Sequence, residues 1–123
     1  MKNCGKLITF GNGGSAADAQ HFAAELSGRF MKERRSFSLV ALSTNTSSIT
    51  AIGNDYSFSE IFSRQIGGLC SEKDFVVGIS TSGNSKNVVE RCIRVDSDVT
   101  PIIQEVHIAI IHMICYSFDE MLE

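Results

Sequence analysis

A glycine-rich turn between a strand-like run and a helix-like run is the feature that most restricts the fold of this chain. The apolar run Leu7–Phe10 is followed by the sequence GNGGS at 11–15 and then by a helical pattern from Ala16 to Arg29. Glycines let a backbone turn sharply and approach a ligand. The N-terminus of a helix presents free N–H groups and a partial positive charge to an anion. This order predicts a parallel α/β sheet with a phosphate site after its first strand.

The same order of strand, polar loop and helix recurs along the chain. We predict strands at 6–10, 37–42 and 75–79, followed by polar loops at 11–15, 43–48 and 80–85. The second and third strands are mostly continuous apolar runs, which is typical of parallel strands covered on both faces. The fold class is therefore α/β, a doubly wound parallel sheet with right-handed crossovers, in one domain spanning residues 1–123. All three loops are expected at the carboxyl edge of the sheet, where such folds bind ligands.

Two further elements are predicted in the C-terminal third. A short strand at Ile93–Val95 is an open alternative. A helix is predicted from Thr100 to about Leu122, because Thr100 can act as its cap and Pro101 fits a first turn. Apolar residues occupy almost every side of this helix from Ile102 to Cys115. We therefore expect it to be buried or to lie at a subunit interface.

Composition excludes several classes of protein. The net charge is −3, and the 123 residues contain no basic cluster larger than the one at 32–35, which argues against a nucleic-acid partner. The four cysteines form no CxxC pair, so reduced cytosolic thiols are expected rather than disulfides. No secretory signal is seen, and polar residues interrupt the apolar stretch 102–114, which is too short to cross a bilayer. These features predict a cytoplasmic protein without a membrane partner.

The loop at 80–85 has the sequence STSGNS and is a second candidate phosphate site. Hydroxyl and backbone N–H groups can bind a phosphate without lysine or arginine. An ordinary helix-capping loop is the alternative, but two Ser/Thr loops and a glycine loop after successive strands favour phosphate. A dinucleotide site is a minor alternative. Gly11, Gly13 and Ala16 match the G-x-G-x-x-A spacing, but the second strand ends in Leu42-Ser43, without an acidic residue for a ribose.

His21 and Glu25 are candidate acid/base or metal-binding residues. They lie four residues apart on one face of the first helix, close to the glycine loop. A solvent-exposed pair is the alternative, but the apolar residues around them favour a pocket. Asn54 and Asp55 end a short helix, where they either form a simple helix terminus or hold sugar hydroxyls through Asp55.

Two histidines on the last helix have different interpretations. His107 is expected to be a satisfied histidine of the core or of an interface. His112 lies about 20° around the helix from Glu105, whereas Gln104 is about 80° and roughly 12 Å away from it. Spacing alone therefore pairs His112 with Glu105. Gln104 and His112 could meet one ligand only by leaning together or from two subunits.

The stretches at 11–30, 51–65, 78–85 and 103–112 together resemble the phosphoheptose isomerase (sedoheptulose 7-phosphate isomerase) family of sugar isomerase, or SIS, domains. The resemblance implies a flavodoxin-like, three-layer α/β/α fold of the SIS type. It also implies a cytoplasmic homotetramer with active sites between subunits and a phosphorylated sugar as substrate. The implied reaction interconverts sedoheptulose 7-phosphate and D-glycero-D-manno-heptose 7-phosphate through an enediol, in the synthesis of bacterial lipopolysaccharide precursors.

The resemblance also implies roles for individual residues. Glu25 would be the general base and His112 the general acid, and this assignment takes precedence over the pairing of His112 with Glu105. One zinc ion per subunit would be held by His21, Glu25, Gln104 and His112. Because a zinc-bound glutamate is a poor base, Glu25 cannot fill both roles fully at once. The substrate would contact Asn12, Gly13, Gly14, Ser15, Glu25, Asn54, Asp55, Gln104 and the phosphate-binding residues Ser80, Thr81, Ser82 and Ser85.

The chain departs from the family pattern in two places. Family members begin with a long helical segment, whereas here the first strand starts almost at Met1. Between Ser85 and Gln104 the chain is roughly thirty residues short of the helices and strands that the family has there, about one βα unit. Since every site motif is intact on both sides, we expect these segments to be omitted from the sequence rather than lost. An intact mass near 13.4 kDa would contradict this.

Two other functions remain as alternatives. One is a non-catalytic, phosphosugar-binding SIS module that regulates the replication initiator protein. That branch lacks the acidic residue at the position of Glu25 and the histidine at that of His112, and both are present here. The other is an inactive fragment, which the short length suggests.

Overall fold

The described residues form a parallel sheet of three strands, in which the first strand along the chain lies between the second and the third. The structure is a computed structural model that describes residues 5–85, 87, 95 and 97–121. The strands are β1 (Leu7–Gly11), β2 (Leu39–Ala41) and β3 (Phe75–Ile79). In the register of the sheet, Leu7 lies opposite Leu39 on one side and Phe75 on the other. The predicted parallel sheet is thus confirmed.

The strand bounds differ from the prediction mainly at β2. β3 has the predicted bounds and β1 is shifted by one residue, but β2 keeps only the centre of the predicted range 37–42. At its start, the N–H of Phe37 donates to the carbonyl of Leu26 in the first helix rather than to a strand. At its end, the chain enters a single 3₁₀ turn at Leu42–Thr44.

The described residues form four α-helices, α1 (Gly14–Ser27), α2 (Thr46–Asp55), α3 (Ser63–Leu69) and α4 (Thr100–Met121). α1 begins two residues before the predicted start, because the turn after β1 is completed at Gly13. α2 begins where Asn45 accepts a hydrogen bond from the N–H of Ser48 at 3.0 Å, which satisfies one free donor of its first turn. The short strand considered at 93–95 falls outside the described residues except for Val95, which is in no strand.

Helices cover both faces of the sheet, as the three-layer prediction requires. Successive strand residues point to opposite faces, so Ile8 and Phe10 face one layer and Leu7 the other. Ile8 and Phe10 pack with Leu42, Ile61 and Phe62 on the side of α2 and α3. On the opposite face, α1 and α4 enclose a second cluster made of Ala19, Phe22, Leu26, Ile79, Ile111 and Cys115.

α4 is long and apolar enough to cross a membrane by length and composition alone, with 22 residues and a mean hydropathy of 1.3 over its best window. A helix with the length and hydropathy of a membrane span was not expected, because the apolar stretch at 102–114 is shorter than the helix. In the fold, however, the buried side of α4 carries the polar residues His107 and Asp119 and packs against α1. Only 22% of that window is buried, so α4 packs on the domain along one side and leaves much of its apolar surface exposed.

Candidate active site

The glycine loop joins β1 to α1 in the predicted way. A Cβ atom on Gly11 would lie 2.7 Å from the carbonyl oxygen of Ile79, so only glycine allows the ends of β1 and β3 to approach this closely. Gly13 has a φ of +55°, which glycine adopts without strain. The N–H of Ser15 then donates to the carbonyl of Asn12 at 3.0 Å. This turn places the N-terminus of α1 at the carboxyl edge of the sheet.

The serine loop follows β3 at the same edge, and its hydroxyl groups converge. The Oγ of Ser80 lies 3.1 Å from that of Ser85 and 3.5 Å from that of Ser82. The backbone N–H of Gly83 donates to Ser80, and that of Asn84 donates to Ser82. Thr81 belongs to the same loop. Hydroxyl and N–H groups therefore gather where a phosphate site was predicted, while the helix expected after Ser85 lies mostly outside the described residues.

A pair of asparagines links the glycine loop to the chain after the serine loop. The side-chain amides of Asn12 and Asn87 exchange two hydrogen bonds, at 2.8 and 3.2 Å. Because β1 and β3 are neighbours, this pairing holds the two predicted phosphate-binding loops side by side.

The candidate acid/base group lies between α1 and α4. The Nε2 atoms of His21 and His112 are 2.9 Å apart, and Glu25 Oε1 lies 3.7 Å from the same nitrogen of His21. The side chains of His21 and Glu25 are 39% and 25% exposed, so the pair is half-buried and open to solvent on one side. In this hydrogen bond one imidazole donates and the other accepts. A carboxylate and two imidazoles in this arrangement can accept, hold and return a proton.

Gln104 does not join this group within the chain. A methyl group on Gly14 would collide with the amide of Gln104, so the Gln104 side chain lies against the start of α1. Gly14 and His21 are seven residues apart on α1, which is about 10 Å along its axis. Glu105 is exposed, and His112 faces His21 instead. The pairing that spacing alone suggested is therefore not formed.

Asn54 and Asp55 are also separate from the other site residues. They end α2, about 15 Å along its axis from its start near the carboxyl edge, and both are exposed. The Asn54 amide donates to Asp55 Oδ1 at 3.0 Å. Within the described residues, no hydrogen bond or ion pair joins either of them to His21, Glu25 or His112.

The predicted zinc ligands divide into His21, Glu25 and His112 on one side and Gln104 on the other. Two imidazoles and a carboxylate are a donor set that zinc takes in proteins. Two nitrogen ligands of one tetrahedral zinc ion lie about 3.3 Å apart, and the 2.9 Å between the histidines is close to this value. Within the described part of the chain, however, no three His, Cys, Asp or Glu side chains are already arranged around one point. The donors fit zinc chemically, after a small side-chain adjustment.

The comparisons with known proteins show the family of the chain. The family model described as "SIS domain" matches residues 1–103. A "Probable phosphoheptose isomerase" of Thermoplasma acidophilum is 54% identical, covering 94% of this chain and 79% of the relative. The "Phosphoheptose isomerase 1" of Campylobacter jejuni is 48% identical, covering 98% of this chain and 80% of the relative.

The chain belongs to the phosphoheptose isomerase family of SIS domains. It is accordingly an isomerase. The solved structure of phosphoheptose isomerase GmhA from Neisseria gonorrhoeae is similar, with a TM-score of 0.82, 41% identity and coverage of 94% of this chain and 77% of that one. A phosphoheptose isomerase from Francisella tularensis has a TM-score of 0.85, 33% identity and the same coverages.

The alignments also bear on the predicted internal gap. The Thermoplasma acidophilum alignment is 143 residues long but uses 94% of the 123 residues here, or about 116. The difference, 143 − 116, is about 27 aligned positions that this chain does not fill. This agrees with the roughly thirty residues expected to be missing.

The sequence interpretation missed Asp18, which lies one turn before His21 on α1. Its Oδ2 atom is 3.9 Å from Nδ1 of His107, and neither atom has a hydrogen-bond partner within the described part of the chain. His107 is therefore buried as expected but not satisfied as expected. Burial raises the pKa of Asp18, and the nearby His107 and His21 oppose this increase only in part. The spacing 14, 18, 21, 25 along α1 is the signal that could have revealed it.

Proposed function

We propose that this isomerase interconverts sedoheptulose 7-phosphate and D-glycero-D-manno-heptose 7-phosphate. The observation that supports this most is the group His21, Glu25 and His112, since it places a carboxylate beside two imidazoles. The glycine and serine loops at the adjacent sheet edge supply groups for a phosphate. The names of the relatives support the same substrate class.

The proposed mechanism moves one proton between two carbons. Glu25 removes a proton from C1 of the ketose, the carbonyl double bond at C2 becomes an enediol, and His112 gives a proton to the oxygen on C2. The hydroxyl on C1 then gives its proton back to His112 as the C1 carbonyl forms, and Glu25 returns its proton to C2. The proton on C1 is only weakly acidic. A base in contact with that proton and a hydrogen-bond donor on the C2 oxygen therefore both lower the activation barrier of its removal.

The substrate phosphate is proposed to bind at the edge formed by the two loops. Ser80, Ser82 and Ser85 point their hydroxyls to one place, with Thr81 in the same loop, and the N-terminus of α1 adds its partial positive charge. Asn12, Gly13, Gly14, Ser15 and Gln104 are proposed to contact the sugar from the glycine-loop side, and Asn54 and Asp55 from a neighbouring subunit.

Replacing Glu25 or His112 tests the assigned roles. We expect Glu25→Gln and His112→Gln each to lower kcat by at least about 10²-fold, the range lost with a general acid or base, while the folded state is kept. The measurement is formation of aldoheptose phosphate from sedoheptulose 7-phosphate by the purified protein. The exposed Glu105→Gln on α4 is the matched control and is expected to retain activity. Full activity in either test variant would contradict the roles.

Zinc is proposed as the cofactor, one ion per subunit. His21, Glu25 and His112 would hold it, with Gln104 supplied by leaning or by another subunit. When bound, zinc would supply Lewis-acid stabilisation of negative charge on the substrate oxygen. A bound ion that prefers the folded state raises the melting temperature. Chelation should therefore lower the melting temperature of the wild type but not that of His21→Ala. Equal responses of both proteins would contradict this set of ligands.

A homotetramer in the cytoplasm is proposed, with residues 1–123 as a single SIS domain. The face of α4 turned away from α1 carries exposed apolar side chains, with Ile102 48% exposed, Met113 60% and Tyr116 49%, next to the exposed Glu105 and Glu120. An uncovered apolar helix face is characteristic of an interface. A second copy of the chain is the proposed occupant, and in that assembly Asn54 and Asp55 would reach the site from a neighbouring subunit.

The comparisons do not support the alternative of a regulatory SIS module for the replication initiator. Glu25 and His112 are both present and lie at the candidate site, and the relatives are named as isomerases. The same activity assay separates the alternatives. Binding of a phosphosugar without turnover would favour a regulatory module or an inactive fragment.

A further inference from the structure

A buried arginine contacts the end of the helix that carries Glu25. The guanidinium of Arg34 donates from Nη2 to the carbonyl of Glu25 at 2.9 Å and from Nη1 to the carbonyl of Leu26 at 3.0 Å. Another bond from Nη1 reaches Gly28 at 3.3 Å. The last four carbonyls of a helix have no partner within it. Arg34 therefore binds the C-terminus of α1 at the backbone of the proposed base itself.

The same guanidinium is bound to α4. Its Nε donates to Oδ1 of Asp119 at 2.6 Å, and the two side chains are 3% and 0% exposed. Oδ2 of Asp119 accepts hydrogen bonds from the backbone N–H groups of Met31 and Lys32, at 2.9 and 3.0 Å. Burial acts to raise the pKa of Asp119, but these N–H groups and the guanidinium outweigh it and lower that pKa. The carboxylate is thus charged and fully engaged.

Asp119 and His112 lie on nearly the same side of α4. They are seven residues apart, which corresponds to about 20° around the helix. Arg34 therefore connects the backbone of Glu25 on α1 with the stripe of α4 that carries His112. The bond between His21 and His112 is the next polar contact along the same interface.

We propose that Arg34 and Asp119 are positioning residues, which hold Glu25 at its working distance from His112. This inference rests on the proposed roles of Glu25 and His112. Arginine suits the task because its planar fork can bind a carboxylate and backbone carbonyls together, whereas a lysine ammonium on that site cannot span both. Arg34 itself touches no substrate.

The test compares Arg34→Lys with Arg29→Lys. Arg29 makes an exposed ion pair with Glu33, at 3.7 Å and with side chains 67% and 85% exposed, so it controls for the same chemical change on the surface. We expect Arg34→Lys to lower kcat by about tenfold or more with KM changed less than threefold, because geometry at the reacting atoms is lost while phosphate binding remains. Arg29→Lys should keep the kcat and the KM of the wild type. Kinetics are measured well below the melting temperature of each variant.

A chemical rescue distinguishes positioning from stability alone. Arg34→Ala should recover part of its kcat in millimolar guanidinium but not in methylammonium, because only guanidinium restores the fork. A variant whose melting temperature falls while its kcat stays at the wild-type value would overturn the proposal, as would rescue by both ions.

A spectroscopic readout keeps the inference testable if the wild type has no turnover. In chelator-treated, metal-free protein the ring ¹⁵N signals of His21 and His112 report their mutual hydrogen bond, and we expect them to shift in Arg34→Lys but not in Arg29→Lys. Absence of wild-type turnover would contradict the proposed function alone. Unchanged histidine signals in Arg34→Lys would contradict the positioning role.

Discussion

At the scale of single residues, Asp18 is the position where burial acts against charge. Its pKa is raised by burial, so the folded protein holds the proton to a higher pH than the unfolded chain does. Folding stability therefore falls as the pH rises from about 4, the ordinary value of an aspartate, through the folded-state pKa. At neutral pH the ionised Asp18 costs stability.

We accordingly expect Asp18→Asn to be more heat-stable than the wild type at pH 7, by a few degrees. The difference should shrink to nothing below about pH 4, where both side chains are neutral. Thermal unfolding measured from pH 4 to pH 8 checks this, with the exposed Asp55→Asn as control. A wild type more stable than Asp18→Asn at pH 7 would show that His107 offsets the cost of burial.

At the scale of elements, a charged contact fixes the start of β3 against the start of β1. Asp74 accepts hydrogen bonds from the ammonium of Lys6 at 2.6 Å and from the Lys6 backbone N–H at 2.7 Å. Ser71 donates to the same carboxylate through its backbone and its hydroxyl. Hydrogen bonds from the ammonium and backbone N–H of Lys6, and from the backbone N–H and hydroxyl of Ser71, hold the pKa of Asp74 well below its ordinary value.

Because the folded-state pKa is lowered, this contact stabilises the protein above about pH 4 and is lost as the pH falls below that value. We expect Asp74→Asn to melt at a lower temperature than the wild type at pH 7 and to approach it in acid. The neighbouring Glu72→Gln, at an exposed position, is the control. If the melting temperatures of Asp74→Asn and the wild type differed by the same amount at pH 7 and at pH 2, the ionised carboxylate would not be the stabilising group.

At the scale of the whole molecule, the exposed face of α4 is the proposed interface of the homotetramer. A lysine at Met113 would place a charge in the centre of the proposed interface, which is costly to bury without a partner. We expect Met113→Lys to elute as a smaller species than the wild type, whose mass should be four times that of the subunit. The variant should also lose activity, because in the proposed assembly Asn54 and Asp55 reach the site from a neighbouring subunit.

Light scattering after gel filtration measures this directly. Leu69→Lys is the matched control, since Leu69 is an exposed apolar residue at the end of α3, on the other layer. An unchanged mass of Met113→Lys would move the interface away from this face of α4. A wild type that is monomeric at micromolar concentration would contradict the proposed tetramer.

The fold and part of the site could be predicted from local patterns. The bounds of β3 and the glycine turn at 11–15 follow from apolar runs and from the backbone freedom of glycine, both properties of neighbouring residues. β2 came out shorter than predicted because Phe37 hydrogen-bonds to α1, a contact that a local pattern does not contain. The pairing of Glu105 with His112 was wrong for a similar reason, since angular position on one helix says nothing of the partner helix.

The sequence by itself therefore determined the elements, their order and the residue types available for chemistry. It placed His21 beside Glu25 because helical spacing alone brings them to one face. Only the tertiary structure decided which side chains meet across α1 and α4. His21 and His112 are 91 residues apart in sequence, and Arg34 and Asp119 are 85 apart. Such contacts depend on how two helices pack on one face of the sheet, and no local preference of either helix specifies that register.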